Sequence, residues 1–139
     1  MKKIALILCL LFLCLLCVGC TGNTNENIQN LKKIITDVYT PETMEQFDAS
    51  FEEYSGGFLA EDVAKQLYVK RGDELTEKDK NRKIEFIEIR YSNSENNSLG
   101  GADIVAIEAK LTLDTTYINL LFKFYIVDNQ VIAYSLKSI

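Results

Sequence analysis

The stretch YINLLFKFYIVDNQVIAYSLKS, residues 117–138, decides the fold. In its first half Ile118, Leu120, Phe122, Phe124 and Ile126 recur at every second position. A period of two places such residues on one face of a strand, so Tyr117 to Val127 is predicted as a long half-buried strand. Asp128-Asn129 follows, and both residues tolerate the positive φ that a two-residue hairpin turn demands. Gln130 to Ser138 is then the returning strand. Regular pairing through that turn sets Ile126 against Val131, Phe124 against Ala133 and Phe122 against Ser135, large against small. The other face then pairs Tyr125 with Ile132, Lys123 with Tyr134 and Leu121 with Leu136.

Upstream, Val105, Ile107, Ala109, Leu111 and Leu113 alternate with Glu108, Lys110 and Thr112, a second clean strand. A two-residue loop near Asp114-Thr115 brings its apolar side onto the Phe122 face. Ile84 to Tyr91 is a further strand whose apolar residues change parity: Ile84 and Phe86 share one side, and Ile87, Ile89 and Tyr91 the other. A bulge near Phe86-Ile87 is the expected remedy. The polar loop from Ser92 to Gly101 separates these two strands, and residues 70–83, with Leu75 as their one large apolar residue, read as a solvated connector.

Before the connector the period is helical. Ile28, Leu31, Ile34, Ile35 and Val38 form one apolar stripe at three- and four-residue steps. Thr40-Pro41 reads as N-cap and first position of a second helix, whose stripe is Met44, Phe47, Phe51 and Tyr54; Ser55-Gly56-Gly57 ends it. A third helix from about Ala60 to Val69 buries Val63, Ala64 and Leu67. Helices first and an antiparallel meander after them make an α+β domain over residues 28–139, its N-terminal helices packed on one face of a curved four-stranded antiparallel sheet. This order, with the Phe58-Leu59-Ala60-Glu61-Asp62 entry to the third helix and the long terminal strands, resembles the cystatin-like and nuclear transport factor 2-like superfamily. The resemblance implies a helix-wrapped sheet that serves in some members as a scaffold and in others as a small-molecule pocket.

The first twenty residues have a different character. Met1-Lys2-Lys3 is basic, Ile4 to Val18 is uninterruptedly apolar, and Gly19-Cys20 closes the run. A charged start, about 15 apolar residues and a small residue at the cut form a secretory signal pattern, and the run is short for a membrane span. Leu16-Cys17-Val18-Gly19-Cys20 resembles the lipobox of bacterial lipoproteins at Val18, Gly19 and Cys20, with Cys17 standing where Leu is usual. The resemblance implies that residues 1–19 are a signal peptide and that Cys20 becomes the lipid-bearing N-terminus. Residues 20–27 are then a polar tether on the extracytoplasmic side of the cell membrane. All four cysteines, Cys9, Cys14, Cys17 and Cys20, lie in this region, so the mature domain has no thiol for a disulfide, a zinc site or a nucleophile.

Charge and composition narrow the function. The formal charge of −5 becomes −7 once Lys2 and Lys3 are lost, which disfavours nucleic acid as a partner. With no histidine anywhere and no phosphate-loop or nucleophile-elbow pattern, no catalytic constellation, cofactor or metal is expected. Asp103, Glu108, Tyr117 and Tyr125 are the residues from which an acid–base site would be drawn. Gln130-Val131-Ile132-Ala133-Tyr134 is similar to the protease-binding hairpin of cystatins, but Ile132 and Tyr134 replace its valine and glycine. Eight acidic residues and no basic one lie between Ile34 and Ala64: Asp37, Glu42, Glu45, Asp48, Glu52, Glu53, Glu61 and Asp62. They read as a solvated helical face; the alternative is a one-signed surface that meets a basic partner or attracts cations.

Leu121, Tyr125, Ile132, Tyr134 and Leu136 stand out most, because regular pairing collects them on the outer face of the sheet, where polar residues are expected unless the connector around Leu75 or the loop at Leu99 covers them. The expected role is therefore that of a membrane-anchored, non-catalytic protein that binds a protein partner, or itself, through this face. The alternative is a pocket domain that binds or transforms a small apolar molecule.

Overall fold

A computed structural model describes residues 24–72, 82–93 and 101–139. The signal segment, Cys20, Leu75 and Leu99 lie outside the described residues. Helix α1 spans 24–39, α2 Met44–Tyr54 and α3 Glu61–Gly72. Four strands follow: β1 Lys83–Ser92, β2 Asp103–Leu113, β3 Thr116–Val127 and β4 Gln130–Ser138. They form one sheet in the order β1-β2-β3-β4, every neighbour antiparallel. The chain is an α+β protein whose helices precede an open meander.

Side-chain alternation builds the sheet. On β2, Val105, Ile107, Ala109 and Leu111 are buried, and β3 answers with Leu120, Phe122, Phe124 and Ile126. Val105 faces Phe124 and Ile107 faces Phe122 across the ladder, so both rows share the inner face. Each fully buried aliphatic or phenyl side chain there contributes about 1.5–3 kcal/mol from its apolar area. Helices cover this face: Ile34, Ile35 and Val38 of α1 and Val63, Ala64 and Leu67 of α3 are buried, and the Tyr39 ring meets Phe122 edge-on at 5.5 Å.

Local chemistry sets the connections. Leu113 pairs with Thr116 around Asp114, which has φ 40°, so the loop has the expected two residues. Asp128 and Asn129, at φ 49° and 59°, make the β3–β4 turn, and paired left-handed residues match the strands' own twist. The bulge on β1 falls where the parity changes, with Ile87 the extra residue between Phe86 and Glu88. Gly56, at φ 77°, turns the chain after α2.

Three expectations need correction. Helix α1 begins at residue 24, so the last four residues of the polar tether are helical. The second helix is capped by Thr43, whose hydroxyl accepts from the Gln46 amide at 3.1 Å, and not by Thr40, whose hydroxyl donates back to the Thr36 carbonyl at the end of α1. Pro41 therefore lies in the link between helices. Finally, α2 buries Phe47, Ser50 and Tyr54 while Met44 is exposed, because Ser50 finds a hydroxyl partner inside.

Candidate functional site

The expected interaction face rested on regular pairing along the last hairpin, and the pairing is not regular. Val127 faces Gln130 and Ile126 faces Val131, but Tyr125 faces Ala133, leaving Ile132 as an extra residue in β4. Beyond that bulge every β4 side chain lies on the face opposite to the one expected. Tyr134 stands beside Phe124, the rings stacked at 6.3 Å, and Leu136 stands beside Phe122. The five residues thus do not form one patch. Leu121 and Tyr125 face outward, Tyr134 and Leu136 belong to the inner face, and Ile132 is the exposed bulge residue. Burial of apolar area explains the choice: the bulge places Val131, Tyr134 and Leu136 on the inner side, where regular pairing would have placed Val131, Ala133 and Ser135.

The outer face is consequently a charged surface. Glu88 and Arg90 are joined by two hydrogen bonds of 2.9 and 2.8 Å, and the guanidinium holds the carboxyl below its usual range. With Ala106, Glu108, Leu121, Lys123 and Ile139 they line a depression of about 210 Å³, below the ~300 Å³ at which small-molecule pockets begin. Asp103, Glu108, Tyr117 and Tyr125 do not converge. The Tyr91 hydroxyl donates to Asp103 at 3.0 Å, Glu108 faces Leu121, and Tyr117 lies near the start of β3 beneath the Lys110 ammonium, 4.4 Å from its ring centre. Among the described residues no group of three or more acidic, histidine or cysteine side chains is placed to hold a metal ion.

Within the helical layer lies a polar network that sequence reasoning missed. Asp37, read as part of a solvated face, is only 2 % exposed. It accepts from Lys33 at 3.3 Å and from the Gln46 side chain at 3.1 Å. Lys33 also reaches Glu53 at 3.1 Å and sits over the Tyr54 ring. Partial burial favours loss of the Lys33 proton, but the bond to Glu53 and the charge and bond of Asp37 outweigh it and hold the ammonium above the usual lysine range. Nearby, the hydroxyls of Ser50 and Tyr68 share a buried hydrogen bond of 2.7 Å, and burial pushes the Tyr68 phenol well above its ordinary value. Lys33 and Asp37 at i,i+4 were the one sequence signal for this pairing.

The feature that remains open is the rim of the sheet. The Ile139 amide donates to the Asn119 carbonyl at 3.0 Å, which makes Asn119 and Ile139 a hydrogen-bonded pair. Antiparallel ladders alternate. Ala133, Ser135 and Lys137 therefore turn their backbone groups to β3, whereas Tyr134, Leu136 and Ser138 turn theirs away from it. At Val131 the outward groups are used: its amide donates to the Phe58 carbonyl at 2.7 Å, and its carbonyl accepts from the Ala60 amide at 2.9 Å. The Gln130 side chain fixes the same corner by donating to the Gly57 carbonyl at 2.9 Å. Past Val131, no described strand pairs with this side of β4. Ile132 and Leu136 are 45 % and 41 % exposed there, and Lys137 is the single charge between residues 132 and 138. The opposite rim, β1, has Lys83, Glu85, Glu88 and Arg90 together with its bulge, the usual protections of an edge strand.

Against this geometry, no protein-family model, curated protein or solved structure matches the chain.

Proposed function

We propose that the chain is a lipid-anchored lipoprotein of the bacterial cell envelope whose domain, on the extracytoplasmic side, binds a protein partner without catalysis through the free side of β4. The anchoring half rests on the lipobox-like run ending at Cys20 and on the confinement of every cysteine to residues 9–20. One acyl chain holds a protein only marginally, and two or three hold it durably, so a diacylated Cys20 keeps the domain within a tether's reach of the membrane.

The binding half rests on one observation: past Val131, β4 turns backbone donors and acceptors outward beside exposed Ile132 and Leu136, with a single lysine as protection. Unused ladder positions with adjacent apolar side chains are what strand addition uses, the backbone supplying affinity and the side chains specificity.

The two halves are tested separately. Cells fed a fatty-acid analogue should label the wild-type chain and not Cys20→Ser, and the variant should leave the membrane fraction or accumulate unprocessed. Unchanged fractionation and processing of Cys20→Ser would refute the anchor. For the surface, backbone amide exchange at Tyr134, Leu136 and Ser138 should be fast in the isolated domain and slow when the partner is bound. Unchanged fast exchange at these three amides in the complex, with binding shifts confined to the outward side chains of Leu121 and Tyr125, would refute the edge.

A further inference from the structure

We infer that the partner of this edge is a second copy of the chain, joined β4 to β4 in antiparallel order about a two-fold axis through Leu136; this rests on the reading of the β4 edge above. The backbone determines the alignment. Outward-facing groups occur at Tyr134, Leu136 and Ser138, and position 131 is already closed by Phe58 and Ala60. A two-fold axis at Leu136 pairs Leu136 with its own counterpart, Tyr134 with the other copy's Ser138, and Ser138 with its Tyr134. All three positions in each copy are then used, in hydrogen-bonded pairs throughout. Moving the axis to Ser135 would leave Ser138 facing the irregular Ile132, so one pair is lost at each end.

Side chains agree with this alignment. On the inner face the two Leu136 side chains, each 41 % exposed alone, meet and prolong the row of Phe122, Phe124 and Tyr134 into the second copy. On the outer face Ile139, 54 % exposed, comes against Ala133, a large side chain on a small one. The charge pattern decides between the two rims. Pairing β4 with the β1 rim of another copy would set it against four charged residues and a bulged ladder, whereas the β4 rim meets only Lys137, which faces Ser135. An isologous contact of this kind uses the same surface on both molecules and closes at two copies. Copies held in one membrane plane by their lipids also meet at raised effective concentration.

Disulfide trapping reads the alignment directly, in membranes from cells expressing the full chain, with the wild type as baseline for its native cysteines. A hydrogen-bonded antiparallel pair has its Cα atoms about 5.5 Å apart, within disulfide reach. Leu136→Cys should run chiefly as a covalent dimer after mild oxidation, and Ala133→Cys, six positions out of step with itself, as monomer. Because Leu136→Cys removes the central side chain, a second arm keeps it: Ser135→Cys and Lys137→Cys expressed together should give a mixed dimer, and each alone should give little. Absence of the dimer in both arms overturns the inference, as does efficient trapping of Ser135→Cys alone. Adducts of these cysteines with a different protein, without the dimer, would overturn the second copy as occupant and leave partner binding standing. Loss of anchoring in the Cys20→Ser experiment bears on the lipid alone.

Discussion

Asp37 and Tyr68 show how polar side chains enter the helical layer without loss. Asp37 is enclosed but keeps a cation and an amide as partners, and Lys33 remains about half exposed. Asp37→Ala removes both bonds, but exposed Gln46 turns to water and Lys33 retains Glu53 and water, so what is lost is the charge-assisted pairing at the enclosed carboxylate. The expected cost is about 1 kcal/mol in urea denaturation, less than for a fully buried pair. Tyr68→Phe strands the Ser50 hydroxyl and should cost about 1–2 kcal/mol, and adding Ser50→Ala should recover part of it. The same residues predict an alkaline weakness. Lys33 and Tyr68 both hold their protons more tightly folded than unfolded. Above about pH 10 the unfolded chain therefore binds fewer protons than the folded one, and stability falls as pH rises. Denaturation midpoints compared at about pH 8 and about pH 11 should show this decline, with a shallower slope for Tyr68→Phe. Little of the network was legible beforehand. An i,i+4 spacing hints at Lys33 and Asp37, but nothing in the order of residues tells Ser50 that Tyr68, eighteen positions on, will face it.

At the scale of elements, two bulges of the same kind differed in how plainly they could be read. On β1 the apolar side chains change parity between Phe86 and Ile87, so a regular strand is self-contradictory and the bulge is the resolution. On β4 both parities are plausible: Val131, Ala133 and Ser135 make one acceptable face, and Ile132, Tyr134 and Leu136 another. The decision comes from outside the strand, from Phe122 and Phe124 next door and from the Phe58–Ala60 segment that takes hold of Val131. That is why the order of helices, strands and turns was foreseen while two of the five candidate residues, Tyr134 and Leu136, were placed on the wrong face. Deleting Ile132 removes the irregularity without changing which residues pair downstream. The variant should therefore keep Tyr134 stacked on Phe124, visible as preserved ring-current shifts in the proton spectrum, at a cost of about 1–2 kcal/mol. Transfer of Tyr134 to the outer face would show that the extra residue, and not apolar burial, sets the register.

The molecule as a whole is held by one apolar layer between helices and sheet, with no disulfide available to the described residues. Phe122 lies at its centre, fully enclosed between Tyr39, Phe124 and the β2 row. Phe122→Ala should cost about 3–5 kcal/mol, a large share of the stability of so small a domain, and thermal melting should show it lowered by many degrees. This layer was legible in the sequence because each inner row repeats at the period of its own element.

One knot in that layer governs when it can form. The corner where Gln130 and Val131 take hold of Gly57, Phe58 and Ala60 joins groups as many as 73 residues apart. Until β4 is in place, the Phe58 carbonyl and the Ala60 amide lack the partners that Val131 supplies. Closing that corner means joining segments far apart along the chain, a contact whose loop-closure cost is met before its bonds repay it, so the pairing of β4 with the link between the helices belongs among the late steps of folding.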